Sequence, residues 1–513
     1  MNFSLKIEPL KSLLAISRYP LTRPIYPWSV YVAGILVLLT GTYSSAQTLH
    51  VAKNGNDQNP GTMSEPLRSI QIALNRAIAG DQISIRSGTY QENLRTQSSG
   101  TEVAPITLSG QSDRSVTVTA NSGNVLHIDH PFLIVENLIF DGQFSKNDVV
   151  RVRATGDGLI FRDNVVRNGA KDGMDLGNAA TVVPEQFDYL EDIQILDSEF
   201  ENFLAQNLFG QRIDAHGIVA GGIHDLTIAR VSVSMVSGDA LQLANGNWNR
   251  VEVKSVVFKN GPITSELADL TGFPVGINPG ENAIDTKQDI SLSVRSNLKI
   301  SDSTFQGWSG DLISNAAALN LKEKVTVVIE SCSFSDNEIA MRLRGGGQTD
   351  DGAHISATNN IFHANTKAIR LEDNLFGLAL VNNTFGAGNG QFLQAVNGGA
   401  GAGFTAINNL FLAPTVPSEI SSVVNMAVDE SIFVDASSAD YRLQPDVEAI
   451  DTAITLPENL ADHIGTIRPQ GGGYDFGAFE YLQGKKIPIP TWFALIAIPA
   501  VLIFLGAGIS KKH

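Results

Sequence analysis

The sequence predicts an all-β solenoid, a parallel β-helix, and three observations lead there. A six-residue phrase keeps returning: apolar, any, polar, polar, any, then Phe or Val, often with Asn two or three residues later. It ends at Phe140, Val166, Phe200, Val233, Phe258, Phe305, Phe334, Phe362, Phe385 and Phe411, at gaps of 26, 34, 33, 25, 47, 29, 28, 23 and 26 residues. A period in this range, built from short strands and Asn turns, marks stacked coils. Apolar residues alternate along each strand, so every coil turns a row inward. Each coil leaves both strand edges unpaired, and only stacking coil on coil satisfies that backbone. Asn suits the turns, because it tolerates the left-handed region and bonds its own backbone. Competing repeats are absent: there is no repeating LxxLxL pattern, no helical 3.6-residue period and no calcium-binding nonapeptide.

The elements follow in chain order. Residues 1–28 hold Lys6, Lys11, Arg18 and Arg23 against Glu8, and an apolar run follows from Val30 to Leu39. Small residues at Ser44 and Ala46 then fit a secretory cleavage site, so residues 1–46 are expected to be a signal peptide. An uncleaved N-terminal anchor is the alternative. The β-helix with its cap is expected over 47–430 and a closing segment over 431–484. Over 485–513, Lys485 and Lys486 lead into 18 uncharged residues from Trp492 to Ile509, then Lys511 and Lys512. That run is just long enough to span a bilayer, and the lysines favour a cytoplasmic end. The chain is therefore expected to be exported and held at the membrane or cell surface, or secreted after its tail is processed. Residues 1–46 carry a net +3 and residues 485–513 a net +4, so of the total −17 the body holds −24. Such a body argues against nucleic acid. Cys332, the single cysteine, has no intramolecular partner; it occupies the place that Asn360, Asn383 and Asn409 hold in their coils, as a small turn residue.

The start of the body resembles a known family. Val51-Ala-Lys-Asn-Gly-Asn-Asp57, Asn59-Pro-Gly-Thr62, Pro66-Leu67, Gly80-Asp81 and Gly88-Thr-Tyr90 with Glu92-Asn93 look like the opening of pectate-lyase-like right-handed β-helix proteins. Between them Ile70, Ala73, Leu74, Ala77 and Ile78 share one helical face, with Ser69 as cap and Gly80 as stop. The resemblance implies that this helix plugs the open first coil. Asp440-Tyr-Arg-Leu443, Ala449-Ile-Asp451 and Arg468 to Tyr481 resemble the closing segment of anchored bacterial β-helix proteins of the choice-of-anchor Q type. The fold hosts lyases, hydrolases, epimerases and non-enzymes, so activity must be argued from side chains.

Aligning one strand per coil gives Asp172-Gly-Met-Asp175, His216-Gly-Ile-Val219, Asp239-Ala-Leu-Gln242, Asn282-Ala-Ile-Asp285, Asp311-Leu-Ile-Ser314, Ile339-Ala-Met-Arg342 and Lys367-Ala-Ile-Arg370. An outer column is then expected at Asp175, Val219, Gln242, Asp285, Ser314, Arg342 and Arg370. A corner column is expected at Asp172, His216, Asp239, Asn282 and Asp311. Lys287 and Arg344 fall two residues on, on the same face. The face is acidic in the middle coils and basic in the later ones. Long gaps place loops around 177–190, 203–212 and 262–297, where they should wall a groove. Phe187, Tyr189, Phe203, Phe209, Trp248 and Phe273 either offer faces to sugar rings or pack the loops down.

Cleaving a uronan by β-elimination requires a base for the proton α to a carboxylate and a cation to absorb the enediolate-like charge. Lys287 is the expected base, with Asp285, Asp239 and His216 around it. Calcium needs six to eight oxygens, and Asp239, Gln242, Glu281 and Asp285 are the expected partial shell. Arg342, Arg344 and Arg370, with Asp172, Asp175 and Asp311, are expected to bind substrate. The phrases around Asp172 and Asp285 are similar to the Asp clusters of pectate lyases that pair calcium with a lysine base, but Lys171-Asp172 stands where that pattern has two adjacent Asp residues. The expected partner is a polysaccharide, most simply an acidic one, bound by a monomer. Glycoside hydrolysis by a carboxylate pair such as Asp239 with Asp285 or Asp311, and a non-catalytic adhesion module, are the alternatives.

Overall fold

The computed structural model describes residues 46–177, 189–244, 247–287, 295–345, 352–399, 403–420, 423–459 and 461–482. Within them the chain winds through three parallel sheets. The first has 13 strands, from Thr48–Val51 to Phe404–Ile407. The second has 13, from Gly88–Gln91 to Met426–Val428, and the third 11, from Leu94–Arg95 to Gln391–Val396. One coil runs Val325–Glu330, Ser333–Ser335, Ile339–Arg344, and the next begins at His354–Thr358 directly beside the first. This is the expected parallel β-helix.

The recurring phrase sets the register. Phe140, Val166, Phe200, Val233, Phe258, Phe305, Phe334, Phe362, Phe385 and Phe411 are successive partners in the second sheet. From Phe258 onward their rings stack face to face, with centroids 5.1, 4.9, 5.1, 4.6 and 4.7 Å apart. All six are buried.

The paired asparagines divide two tasks. The first of each pair, Asn359, Asn382 or Asn408, takes a left-handed φ of 57, 50 or 60° and makes the bend. The second points inward and forms a ladder. Asn383 Oδ1 accepts from the backbone N–H and Nδ2 of Asn360 at 2.9 and 3.0 Å, and Asn409 and Asn425 repeat this on the following coils. Cys332 stands one rung earlier, its N–H donating to Asn360 Oδ1 at 2.9 Å. Burial pushes its thiol far above the ordinary range, which suits a structural sulfur rather than a nucleophile.

The cap differs in detail from expectation. Helix Ile70–Arg76 buries Ile70, Ala73 and Leu74 against the first coil. Ser69 does not cap it with its side chain. Its hydroxyl donates to Asp57 instead, and the Glu92 carboxylate takes the N–H groups of Ile70 and Gln71. Glu92 thereby supplies both an acceptor and a negative charge at the positive helix end. Ile78 lies past the helix and is exposed, because the chain turns away at Ala77.

The closing segment forms a short antiparallel pair, Phe433–Asp435 with Asp440–Leu443. It then runs back along the bends, where its backbone carbonyls accept from the side chains of Asn408, Asn382 and Asn359. Among the described residues no helix is long and apolar enough to cross a membrane. The leader up to Ser45 and the tail over 485–513 lie outside the described residues.

Candidate functional site

The outward side chains of the third sheet make one continuous column. Its register reads Arg151, Asp175, Val219, Gln242, Asp285, Asn320, Arg342, Arg370 and Gln394. The expected column is present except for one coil. There Ala317–Leu321 forms the strand, so Asn320 replaces Ser314 and Ala317 replaces Asp311. The cause is Trp308. It is buried just after Gly307, whose φ is 78°, and donates its indole N–H to Phe258 O. Residues 309–316 then loop outward, and Asp311, exposed, accepts from Asn278 N at 2.7 Å. Asp311 therefore belongs to neither the column nor the hydrolase pair in which the sequence placed it.

The centre of the column joins two buried carboxylates on neighbouring strands. Asp239 accepts from Asn282 Nδ2 at 2.8 Å and Gln242 Nε2 at 2.9 Å. Burial, then the charge of Asp285, pushes its carboxyl above the usual carboxylate range. His216 Nδ1 accepts from the Asp239 backbone N–H at 2.8 Å. Its Nε2 lies 3.4 Å from the amide nitrogen of Gln242. His216 thus braces the Asp239 backbone. Asp285 takes Lys322 Nζ at 2.9 Å, Asn320 Nδ2 at 2.9 Å and Lys287 Nζ at 3.5 Å. Burial raises its carboxyl too, against the opposing charges of Lys322 and Lys287.

Glu281 flanks this centre and pairs with Arg212 at 3.3 Å; burial and then Asp239 raise its carboxyl. The expected calcium donors do not fit a shell. Both Asp239 oxygens already accept amide hydrogens, and Asp285 holds two lysines where a cation would stand. Among the described residues no group of three or more His, Cys, Asp or Glu side chains is placed to share an ion.

Two coils onward, three arginines close on one carboxylate. Arg342 meets Glu372 bidentately at 2.9 and 2.9 Å, Arg344 Nε lies 3.2 Å away and Arg370 Nε 2.6 Å away. Burial alone would raise Glu372, but the Arg342 hydrogen bonds and the three charges hold it below its usual range. In the other direction Asp175 pairs with Arg151, which also meets Asp148 at 3.0 Å. Asp172 accepts from His216 N at 3.1 Å, and burial raises its carboxyl.

The sequence reading missed Lys322 and Glu372. Both lie two residues after a column member, the spacing that singled out Lys287 and Arg344. Phe203, Trp248 and Phe273 are buried and pack coils and loops, so they present no face to a sugar. Tyr189 stacks on His224 at 3.9 Å, Phe209 is exposed at the tip of the 203–213 hairpin, and Phe187 lies outside the described residues.

Comparison with known proteins agrees with this architecture. Residues 65–179 match the chondroitinase B family. The uncharacterized protein YwoF of Bacillus subtilis is 31% identical over 173 residues, 29% of this chain and 37% of that protein. Pectate lyase PEL9 of Emericella nidulans is 39% identical over 75 residues, 14% of this chain and 18% of that enzyme. The chain thus spans well under half the length of either curated relative. The crystal structure of pectate lyase Pel9A superposes with a TM-score of 0.47 at 14% identity, covering 85% of this chain and 97% of that one. By its own sheets the chain is a parallel β-helix, and parts of it are similar in sequence to the chondroitinase B family and to a pectate lyase.

Proposed function

We propose that the outer face of the third sheet binds an acidic polysaccharide along the helix axis and cleaves it by β-elimination. The observation that carries this reading is the meeting of Asp239, Asp285, Lys287 and Lys322 beside an arginine cluster on the next coils. A uronate carboxylate pairs with Arg342 and Lys322, which absorb the charge that develops when the adjacent C–H is broken. Lys287, after passing its own proton to Asp285 across 3.5 Å, takes that proton. The electron pair forms a carbon–carbon double bond as the glycosidic oxygen leaves. Asp239, whose protonated form burial favours, returns a proton to that oxygen. Calcium has no part in this sequence. Incubating the chain with a panel of uronans and following the absorbance of unsaturated product tests it, and a chelator should leave the rate unchanged. Product that appears only with added calcium would restore the ion.

One observation favours a second reading. Asp239 and Asp285 stand on neighbouring strands, and the charge of Asp285 raises Asp239, which is how an acid and a base are separated in glycoside hydrolysis. New reducing ends without unsaturated product would select it. The reading also places the body outside the cytoplasm, exported by residues 1–46 and attached by 485–513. Protease added to intact spheroplasts should digest the body, and a protected body would overturn the export reading.

A further inference from the structure

The ion pairs on the outer face are asymmetric along the helix axis. From Asp285 onward two carboxylates of this face each gather several cations. Asp285 serves Lys322 and Lys287, and Glu372 serves Arg342, Arg344 and Arg370. Five cations share two carboxylates. Before Asp285 the relation inverts at two arginines, each shared by two carboxylates: Arg151 by Asp148 and Asp175, and Arg212 by Asp214 and Glu281, while Arg95, earlier in the same column, pairs with Asp129. Lys171 adds one more pair, at 2.9 Å from Asp148. Asp172 and Asp239 make no ion pair with a lysine or arginine among the described residues.

A self-contained structural network would balance its charges, because a half-buried guanidinium without an anion is costly. The later coils are therefore built for negative charge brought from outside, in a body that is otherwise acidic. The earlier coils would repel the same charge. Three coil spacings separate Asp175 from Asp285, and three more separate Asp285 from Arg370. At about 4.8 Å per coil each half extends about 14 Å, room for more than one sugar ring.

We propose that the ligand is itself uneven in charge, with anionic sugars over the coils from Asp285 to Glu372 and uncharged sugars over those from Asp175 to Asp239. This rests on the reading that the face binds an acidic glycan. It selects a heteropolysaccharide, in which runs of uronates adjoin runs of neutral sugars, over a chain made only of uronates. On a uniform polyuronate the earlier coils would meet carboxylate with carboxylate.

Binding of the full chain to three sets of oligosaccharides of equal length tests this: all uronate, a run of uronates joined to a run of neutral sugars, and all neutral. The measurement is made in chelator at low salt, so that no cation bridges the acidic half. The two-block set should bind at least tenfold more tightly than the all-uronate set. Asp175→Asn should narrow that gap from the all-uronate side, and Arg370→Gln should weaken both acidic sets at least tenfold. Circular dichroism checks that each variant is folded, and the wild-type ranking decides the matter without them. If all-uronate oligomers bind as tightly as the two-block ones, the asymmetry is refuted while the acidic-glycan reading stands. If only neutral oligomers bind, or none does, both readings fail.

Discussion

Phe334→Ala tests whether the phenylalanine stack holds the coils together. Phe334 is 1% exposed and lies between Phe305 and Phe362 at 4.9 and 5.1 Å, with its ring within 7 and 8° of theirs. Emptying a buried Phe site costs roughly 3–5 kcal/mol in transfer and cavity terms. Two aromatic contacts, each about 0.5–1.5 kcal/mol beyond area, are lost as well. Neighbouring coils are pinned on both sides by Asn ladders and cannot collapse into the space, so the loss should sit near 5 kcal/mol. Phe334→Leu fills most of the volume and should cost far less. Because each coil touches only its neighbours, the damage should be local. The urea midpoint should fall, and amide exchange should accelerate on the strands bearing Phe305 and Phe362 before it does on the cap. An unchanged midpoint, or acceleration spread evenly over the chain, would refute the stacking argument.

Two further predictions concern the centre of the face. Lys287→Ala should abolish turnover while binding of acidic oligosaccharide persists; full activity would move the base elsewhere, with Lys322 first in line. Asp239→Asn should separate stability from function. Burial raises the folded pKa of Asp239 above its ordinary value, so its contribution to stability is present below about pH 4 and is lost as pH rises through the raised value. At neutral pH its ionised form therefore opposes folding. The variant should be inactive, unfold at a higher midpoint than wild type at pH 7, and match it at pH 3. A lower midpoint at pH 7 would mean that the hydrogen bonds from Gln242 and Asn282 outweigh the buried charge.

Strand register was legible in the chain because a stacked column needs similar volumes at every rung, and the phrase ending in Phe or Val records that need ten times. Cys332 was legible for the same reason, standing where its neighbours have Asn. The alignment slipped only at Asp311. Asp311-Leu-Ile-Ser314 and Ala317-Ala-Leu-Asn320 both alternate in the required way, and only the burial of Trp308 decides which one enters the sheet. Glu92 as the helix cap was hidden because its partner lies 22 residues away, where no local spacing reports it. Glu372 was within reach of the two-residue rule; Lys322 was not, because the slip put Ser314 where Asn320 stands. The number of cations each carboxylate gathers was not, since that depends on which long side chains bend toward it from adjacent coils.

The closing segment has a mechanical consequence. A solenoid pulled from its end normally opens like a zip, one strand at a time, with the load on a single rung. Here the chain turns back before it leaves the fold. Its return path is fastened at Asn408, Asn382 and Asn359, and at its far end buried Arg468 clamps Glu480 at 2.8 Å while also bonding Asn359. Tension applied beyond residue 482 therefore reaches three coils at once and acts along the fastened strip, in shear. The bonds must fail together rather than in succession, so the resisting force is set by their sum. A body built this way keeps its last coil from unravelling when it is pulled from its C-terminal side.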